Sequence, residues 1–160
     1  MSTKPLVVIL MGSKADMEHC TKISDACKGF GLDAVIRIGS AHKTPEHAIA
    51  ILNEYEVDER PKVYITVAGR SNALSGFTDG SVSAPVIACP PPSEAFGGAD
   101  VFSSLRMPSG IAPAVVLEPF NAALLAAKIF GVANAEVREQ VKASQRRAAE
   151  KILEDDASVR

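Results

Sequence analysis

Leu6-Val7-Val8-Ile9-Leu10-Met11-Gly12-Ser13-Lys14-Ala15-Asp16 is the stretch that decides the fold. Leu6–Met11 is apolar without interruption, so it is a strand covered on both faces. A glycine turn and the start of a helix follow at once, which is the opening of a parallel α/β unit. The same alternation continues along the chain. Met17–Phe30 reads as a helix that ends at Gly29 or Gly31, where a left-handed cap is easy. Ala34–Ile38 is a second strand. Thr44–Tyr55 is a helix with Thr44 at the N-cap and Pro45 in the first turn. Lys62–Ala68 is a third strand, Asn72–Thr78 a short helix, and Pro85–Cys89 a fourth strand. Ala114–Leu117 is a short fifth strand, and Asn121–Phe130 a helix. The expected fold class is α/β: a three-layer α/β/α sandwich on a central parallel sheet, flavodoxin- or Rossmann-like, with a long C-terminal helix.

The 160 residues fit one domain, 1–160, with a core over about 6–131. At 47% hydrophobic and 22% charged, the chain has the composition of a globular protein rather than a disordered one. A formal net charge of −2 offers no basic field for a nucleic acid. The longest apolar runs are too short to cross a bilayer, and the polar residues 1–5 carry no signal-peptide pattern. Cys20, Cys27 and Cys89 are odd in number and lack a Cys-x-x-Cys pair, which argues against disulfides and structural zinc. Buried free thiols in a reducing compartment, the cytoplasm, are expected.

Two segments point beyond the monomer. Asn121–Phe130 is apolar on nearly every face, more than one sheet can cover. A charged amphipathic helix over about 134–156 carries Val137, Val141, Ala148 and Ile152 on one stripe, with the small Ser144 in line. Packing of that helix on a neighbouring subunit is expected; folding back on its own sheet is the alternative.

Ligands of open α/β sheets bind beyond the carboxyl ends of the strands. At the first strand end, Gly12 lets a ligand approach the backbone, Ser13 can donate to a phosphate, and the helix start adds free N–H groups. Asp16 suits a ribose hydroxyl or a helix cap. This loop is neither a dinucleotide fingerprint nor a Walker A loop. The second strand end, Ser40-Ala41-His42-Lys43-Thr44-Pro45, places a hydroxyl, an imidazole and an ammonium together. Imidazole moves protons at neutral pH, which makes His42 the acid/base candidate. His19 and His47 fall inside helices and are read as packed or solvent-facing. The third strand end, Gly69-Arg70-Ser71-Asn72, adds a guanidinium able to hold a phosphate or carboxylate. Pro90-Pro91-Pro92 follows the fourth strand, where cis X-Pro bonds would stiffen a pocket wall. Ser103–Gly110 is a polar loop placed to close over the site.

Taken together, Gly12-Ser13-x-x-Asp16, Ser40-Ala41-His42-Lys43, Ala68-Gly69-Arg70-Ser71-Asn72 and Ser103-Ser104-Leu105-Arg106-Met107-Pro108-Ser109-Gly110 resemble the PurE family of purine biosynthesis, in order and with its spacing, from about residue 6 to 131. The resemblance implies a three-layer parallel sandwich that assembles into octamers, with a tetramer as the alternative. It also implies a small-molecule ribonucleotide substrate, 5-aminoimidazole ribonucleotide (AIR), carboxylated at imidazole C4. One branch of the family is a mutase acting on N5-carboxyaminoimidazole ribonucleotide; its second loop usually reads Ser-Ala-His-Arg and its third carries a further histidine. Lys43 and Gly69-Arg70-Ser71-Asn72 depart from that pattern and are similar to the direct carboxylase branch, which uses carbon dioxide. By resemblance, His42 removes the C4 proton, Asp16 meets the ribose, and Ser13, Ser40 and Lys43 surround the phosphate. Gly12 and Ala41 line the substrate pocket, and Gly69, Arg70 and Ser71 line that for carbon dioxide or carboxylate. No metal, biotin or ATP is implied. Two other readings are weaker. A Cys89 thiol enzyme has no histidine at an obvious partnering loop. A phospho-receiver would need acidic residues where Gly12-Ser13 and Gly69 stand.

Overall fold

The computed structural model describes residues 4–160; of the polar lead read over residues 1–5, residues 1–3 lie outside the described residues. Five strands among them form one sheet in the order β2-β1-β3-β4-β5, all neighbours parallel. These are β1 (Leu6–Met11), β2 (Asp33–Ile38), β3 (Lys62–Val67), β4 (Val86–Ala88) and β5 (Ala114–Val115). The helices between and after them are α1 (Met17–Gly29), α2 (Pro45–Glu56), α3 (Leu74–Asp79), α4 (Phe102–Leu105), α5 (Pro119–Gly131) and α6 (Ala135–Ser158). This is the expected three-layer α/β/α sandwich in the flavodoxin-like strand order.

β1 shows why the unbroken apolar run specifies an interior strand of the sheet. Successive side chains of a strand point to opposite faces. Val7, Ile9 and Met11 pack with Cys20, Ile23 and Cys27 of α1 and the alanines of α5. Leu6, Val8 and Leu10 pack with Ile51 and Leu52 of α2, Leu74 of α3 and Tyr64. All six β1 residues are buried. The edge strand β2 is only half-buried, and its Arg37 pairs with Glu54 and reaches the Tyr55 hydroxyl.

Several local expectations are refined. α1 ends at Gly29 and the left-handed residue is Gly31 (φ 77°). Thr44 precedes Pro45 as expected but makes no side-chain cap to α2; its Oγ1 accepts the Ser40 N–H instead. α3 starts at Leu74, not Asn72, because Arg70 and Ser71 are left-handed (φ 59° and 78°) and Asn72 Oδ1 accepts the Ser75 N–H. Among the described residues no peptide bond is cis, so Pro90-Pro91-Pro92 shapes its wall through trans bonds.

The apolar helix α5 is covered more fully by its own chain than its sequence suggested. α1 covers one side, where the Phe30 and Phe120 rings lie 5.6 Å apart, and the first turns of α6 cover another through buried Val137 and Val141. Beyond Ser144 every residue of α6 is exposed, Ile152 at 67% and Leu153 at 69%. The helix has 24 residues and is therefore about 36 Å long. The stripe read over Val137, Val141, Ala148 and Ile152 thus divides: its first half packs within the chain, and its second half stands in solvent.

Candidate functional site

Three loops leave the carboxyl ends of β1, β2 and β3 and surround one cleft of about 720 Å³. Each is set by its own hydrogen bonds. In the first, Ser13 Oγ accepts the Ala15 N–H (3.3 Å) and caps a 3-10 turn over Lys14–Asp16. Asp16 makes no side-chain cap bond to α1, so its carboxylate is left to the cleft. Burial raises the Asp16 pKa, against the opposing pull of His19 and Arg70.

The second loop is a closed ring. Ser40 Oγ accepts the Lys43 N–H (3.1 Å), Thr44 Oγ1 accepts the Ser40 N–H (3.0 Å), and the Thr44 N–H donates to Ser40 O (2.9 Å). The ring turns Ala41 toward the core and leaves His42 and Lys43 exposed at its tip. Ser40 Oγ is used as an acceptor, so its own proton remains available to a ligand. Gly39 allows the loop to start against α2: a Cβ there would lie 3.3 Å from Ala48 Cα.

The third loop carries the backbone strain. Arg70 and Ser71 both lie in the left-handed region, which disfavours side chains bearing a Cβ and recurs at functional sites. The Arg70 N–H donates to Asp100 Oδ2 (3.3 Å), and the Asn72 N–H to Ser103 Oγ (2.7 Å).

Gly12, Ser13, Asp16, Ser40, Ala41, His42, Lys43, Gly69, Arg70 and Ser71 all line this cleft, so the residues read from the sequence as catalytic or substrate-binding are brought to one place. Ser103–Gly110, read from the sequence as a closing loop, is not, and its first three residues belong to α4. Ser103 and Ser104 support Asn72, and Met107 and Ile111 lie against Gly76 of α3. None of Ser103–Gly110 lines the cleft, and its fourth wall is Pro91–Ala95 with Asp100. Asp100 escaped the sequence reading because the left-handed run Phe96-Gly97-Gly98 folds it back; Gly97-Gly98 was the available signal.

A second cleft of about 570 Å³ adjoins the first across Gly69, Pro91, Pro92, Ser93 and Asp100. His19, read as a helix residue without a role, lines it, and its Nε2 lies 3.3 Å from Cys89 Sγ. Burial lowers the His19 pKa and pushes the Cys89 thiol up to about 12. Cys20, Cys27 and Cys89 are all free and buried. His47 is exposed on α2.

The model of one protein family, AIR carboxylase, matches residues 6–151. The chain belongs to the AIR carboxylase family. Among AIR carboxylase relatives, a phosphoribosylaminoimidazole carboxylase of Treponema denticola is 60% identical over 98% of this chain and 99% of its own. One of Archaeoglobus fulgidus is 54% identical over 96% of this chain and 84% of its own. The crystal structure of Treponema denticola PurE superposes with a TM-score of 0.96 at 60% identity, covering 98% of this chain and 99% of that one. No described helix is long and apolar enough to cross a membrane.

Proposed function

We propose that this protein is a phosphoribosylaminoimidazole carboxylase that joins carbon dioxide to C4 of AIR in purine biosynthesis, giving 4-carboxy-5-aminoimidazole ribonucleotide (CAIR). The observation that carries this is the convergence of His42, Lys43 and Arg70 with Asp16 on one cleft, in a chain of the AIR carboxylase family.

The chemistry follows from the substrate. The 5-amino group makes C4 electron-rich, and C4 attacks the carbon of CO2. The new C–C bond leaves C4 tetrahedral, bearing its hydrogen and a carboxylate. Removal of that proton returns the electron pair to the ring. His42, at the exposed tip of its loop, is the base that takes the proton. Asp16 holds the ribose hydroxyls, and Ser13, Ser40 and Lys43 hold the phosphate. Gly12 and Ala41 give the nucleotide close backbone approach. Gly69, Arg70 and Ser71 receive carbon dioxide and the carboxylate that forms, where the guanidinium offsets the growing negative charge. Positioning and exclusion of water supply the acceleration, and no metal, biotin or ATP takes part. Lys43 and Arg70 favour direct carboxylation over the mutase reaction, since no histidine occupies the third loop.

The site works in a homo-oligomer, an octamer in preference to a tetramer, with the exposed half of α6 packed on a neighbouring subunit. Its location is the cytoplasm, in keeping with three buried, unpaired thiols. The test is substrate choice. Purified protein is given AIR with bicarbonate, or N5-carboxyaminoimidazole ribonucleotide with carbon dioxide swept out. CAIR should form from the first and not the second; the reverse would establish the mutase.

A further inference from the structure

Asp100 lies outside all the loops that the chain's sequence marks as functional, yet it forms part of the wall shared by the two clefts. Its Oδ2 accepts the N–H of left-handed Arg70 at 3.3 Å. The same oxygen would lie 3.7 Å from a Cβ placed on Gly69. The main chain around Asp100 is tied in as well. Ser103 Oγ donates to Asp100 O (2.7 Å) and accepts the Asn72 N–H (2.7 Å). Asn72, buried with 3% exposure, donates from Nδ2 to Ser104 Oγ (3.0 Å) and accepts the Ser75 N–H. The strained pair Arg70-Ser71 is thus held at both ends by one segment: Asp100 on its first N–H, Ser103 and Ser104 on the residue that follows it.

A backbone conformation disfavoured for residues with a Cβ persists only where its surroundings over-determine it. Asn72, held by Ser103 and Ser104, fixes where the loop leaves toward α3. The Asp100 carboxylate acts on the Arg70 amide itself, and so on the direction in which the guanidinium leaves the chain. We infer that Asp100 is a positioning residue for carboxylation: by holding the Arg70 N–H it aims the third loop at the reacting carbon dioxide, without touching the nucleotide. This rests on the proposed AIR carboxylation.

The experiment compares wild type, Asp100→Asn, Asp100→Ala and Ser103→Ala. Turnover is measured against carbon dioxide at saturating AIR and against AIR at saturating carbon dioxide, with AIR affinity from calorimetry. Asn keeps an oxygen acceptor for the Arg70 N–H, and Ala removes it. Asp100→Ala should lose roughly tenfold to a hundredfold in kcat/KM for carbon dioxide, the scale of a misplaced reacting group. AIR affinity should stay near that of wild type, and Asp100→Asn should recover most of the loss. Ser103→Ala should fall in the same direction by less, and it serves if Asp100→Ala does not fold. Equal losses toward AIR and carbon dioxide would show a merely structural role and overturn the inference. So would wild-type kinetics in Asp100→Ala, or failure of Asp100→Asn to recover. Amide exchange at Arg70 separates this from the function itself. If wild type does not carboxylate AIR, the proposed function fails. Exchange at Arg70 that is no faster in Asp100→Ala than in wild type refutes the hold on the loop, whatever the substrate.

Discussion

Gly39→Ala tests how the catalytic loop is placed. Gly39 is buried where β2 gives way to the Ser40–Thr44 ring, and the loop crosses α2 there at close range. An added Cβ would meet Ile51 Cδ1 at 3.2 Å and Ala48 Cα and Cβ at 3.3 Å. The Ile51 methyl is the end of a flexible side chain and can turn away. Ala48 Cα cannot: it is helix backbone, with its N–H bonded to Thr44 O at 3.0 Å. Ordinary carbon contacts lie at about 3.5–4.0 Å, so the loop must back off by a few tenths of an ångström. Overpacking of this kind destabilises by about 1–3 kcal/mol. His42 follows three positions on, and a displacement of that order should lower turnover by roughly tenfold. Gly29→Ala is the control with the opposite sign. Gly29 is helical and exposed, and a Cβ there would meet nothing within 4 Å. It should stabilise by about 0.5–1 kcal/mol and leave turnover alone. Urea unfolding and the CAIR-forming assay on both variants decide the matter. Gly39→Ala with the stability and turnover of wild type would refute the close-approach reasoning.

Three further expectations follow from the same geometry. Burial raises the Asp16 pKa above 3.8, so its contribution to stability is present below that pH and is lost as pH rises through the shifted value. Asp16→Asn should therefore melt no lower than wild type at pH 7 while binding AIR more weakly; a lower melting point with unchanged binding would contradict both statements. Cys89 is buried with its pKa pushed to about 12, so little thiolate exists at neutral pH. Cys89→Ala should keep turnover, and Cys20, Cys27 and Cys89 should react with a thiol reagent only on unfolding; an inactive Cys89→Ala enzyme would revive the thiol mechanism. Ile152→Glu with Leu153→Glu places charge on the exposed half of α6, and light scattering should show a smaller assembly with near-native circular dichroism; an unchanged mass would show that α6 does not pack on a neighbour.

The sheet was legible because β1, an interior strand, is covered on both faces. Leu6–Met11 had to be apolar throughout, and the Gly12-Ser13 turn directly after it separates this run from a buried helix such as α5, whose residues 122–127 are equally apolar. The three site loops were legible because parallel topology sends each strand end to one edge of the sheet. What lay outside that logic was less so. Thr44 looks like a helix cap by composition, but Ser40 competes for its hydroxyl and wins. Ser103–Gly110 has the polarity of a lid, yet Met107 and the following Ile111 lie close against Gly76 of α3, and none of the segment lines the cleft. Asp100 and the contact of His19 with Cys89 depend on long-range folding: a left-handed turn in one case, residues seventy apart in the other. The apolarity of α5 called for cover on more than one face, but it could not say that the first turns of α6 in the same chain supply part of that cover.

The base that rearomatises the ring is the central claim, and His42→Asn tests it most directly. Asparagine keeps a polar side chain at the tip of the loop and cannot accept the C4 proton at neutral pH. His42→Asn should bind AIR with an affinity close to that of wild type, measured by calorimetry, and form no CAIR above background when carbon dioxide is supplied. Turnover at the wild-type rate would contradict the assignment of His42 as the base.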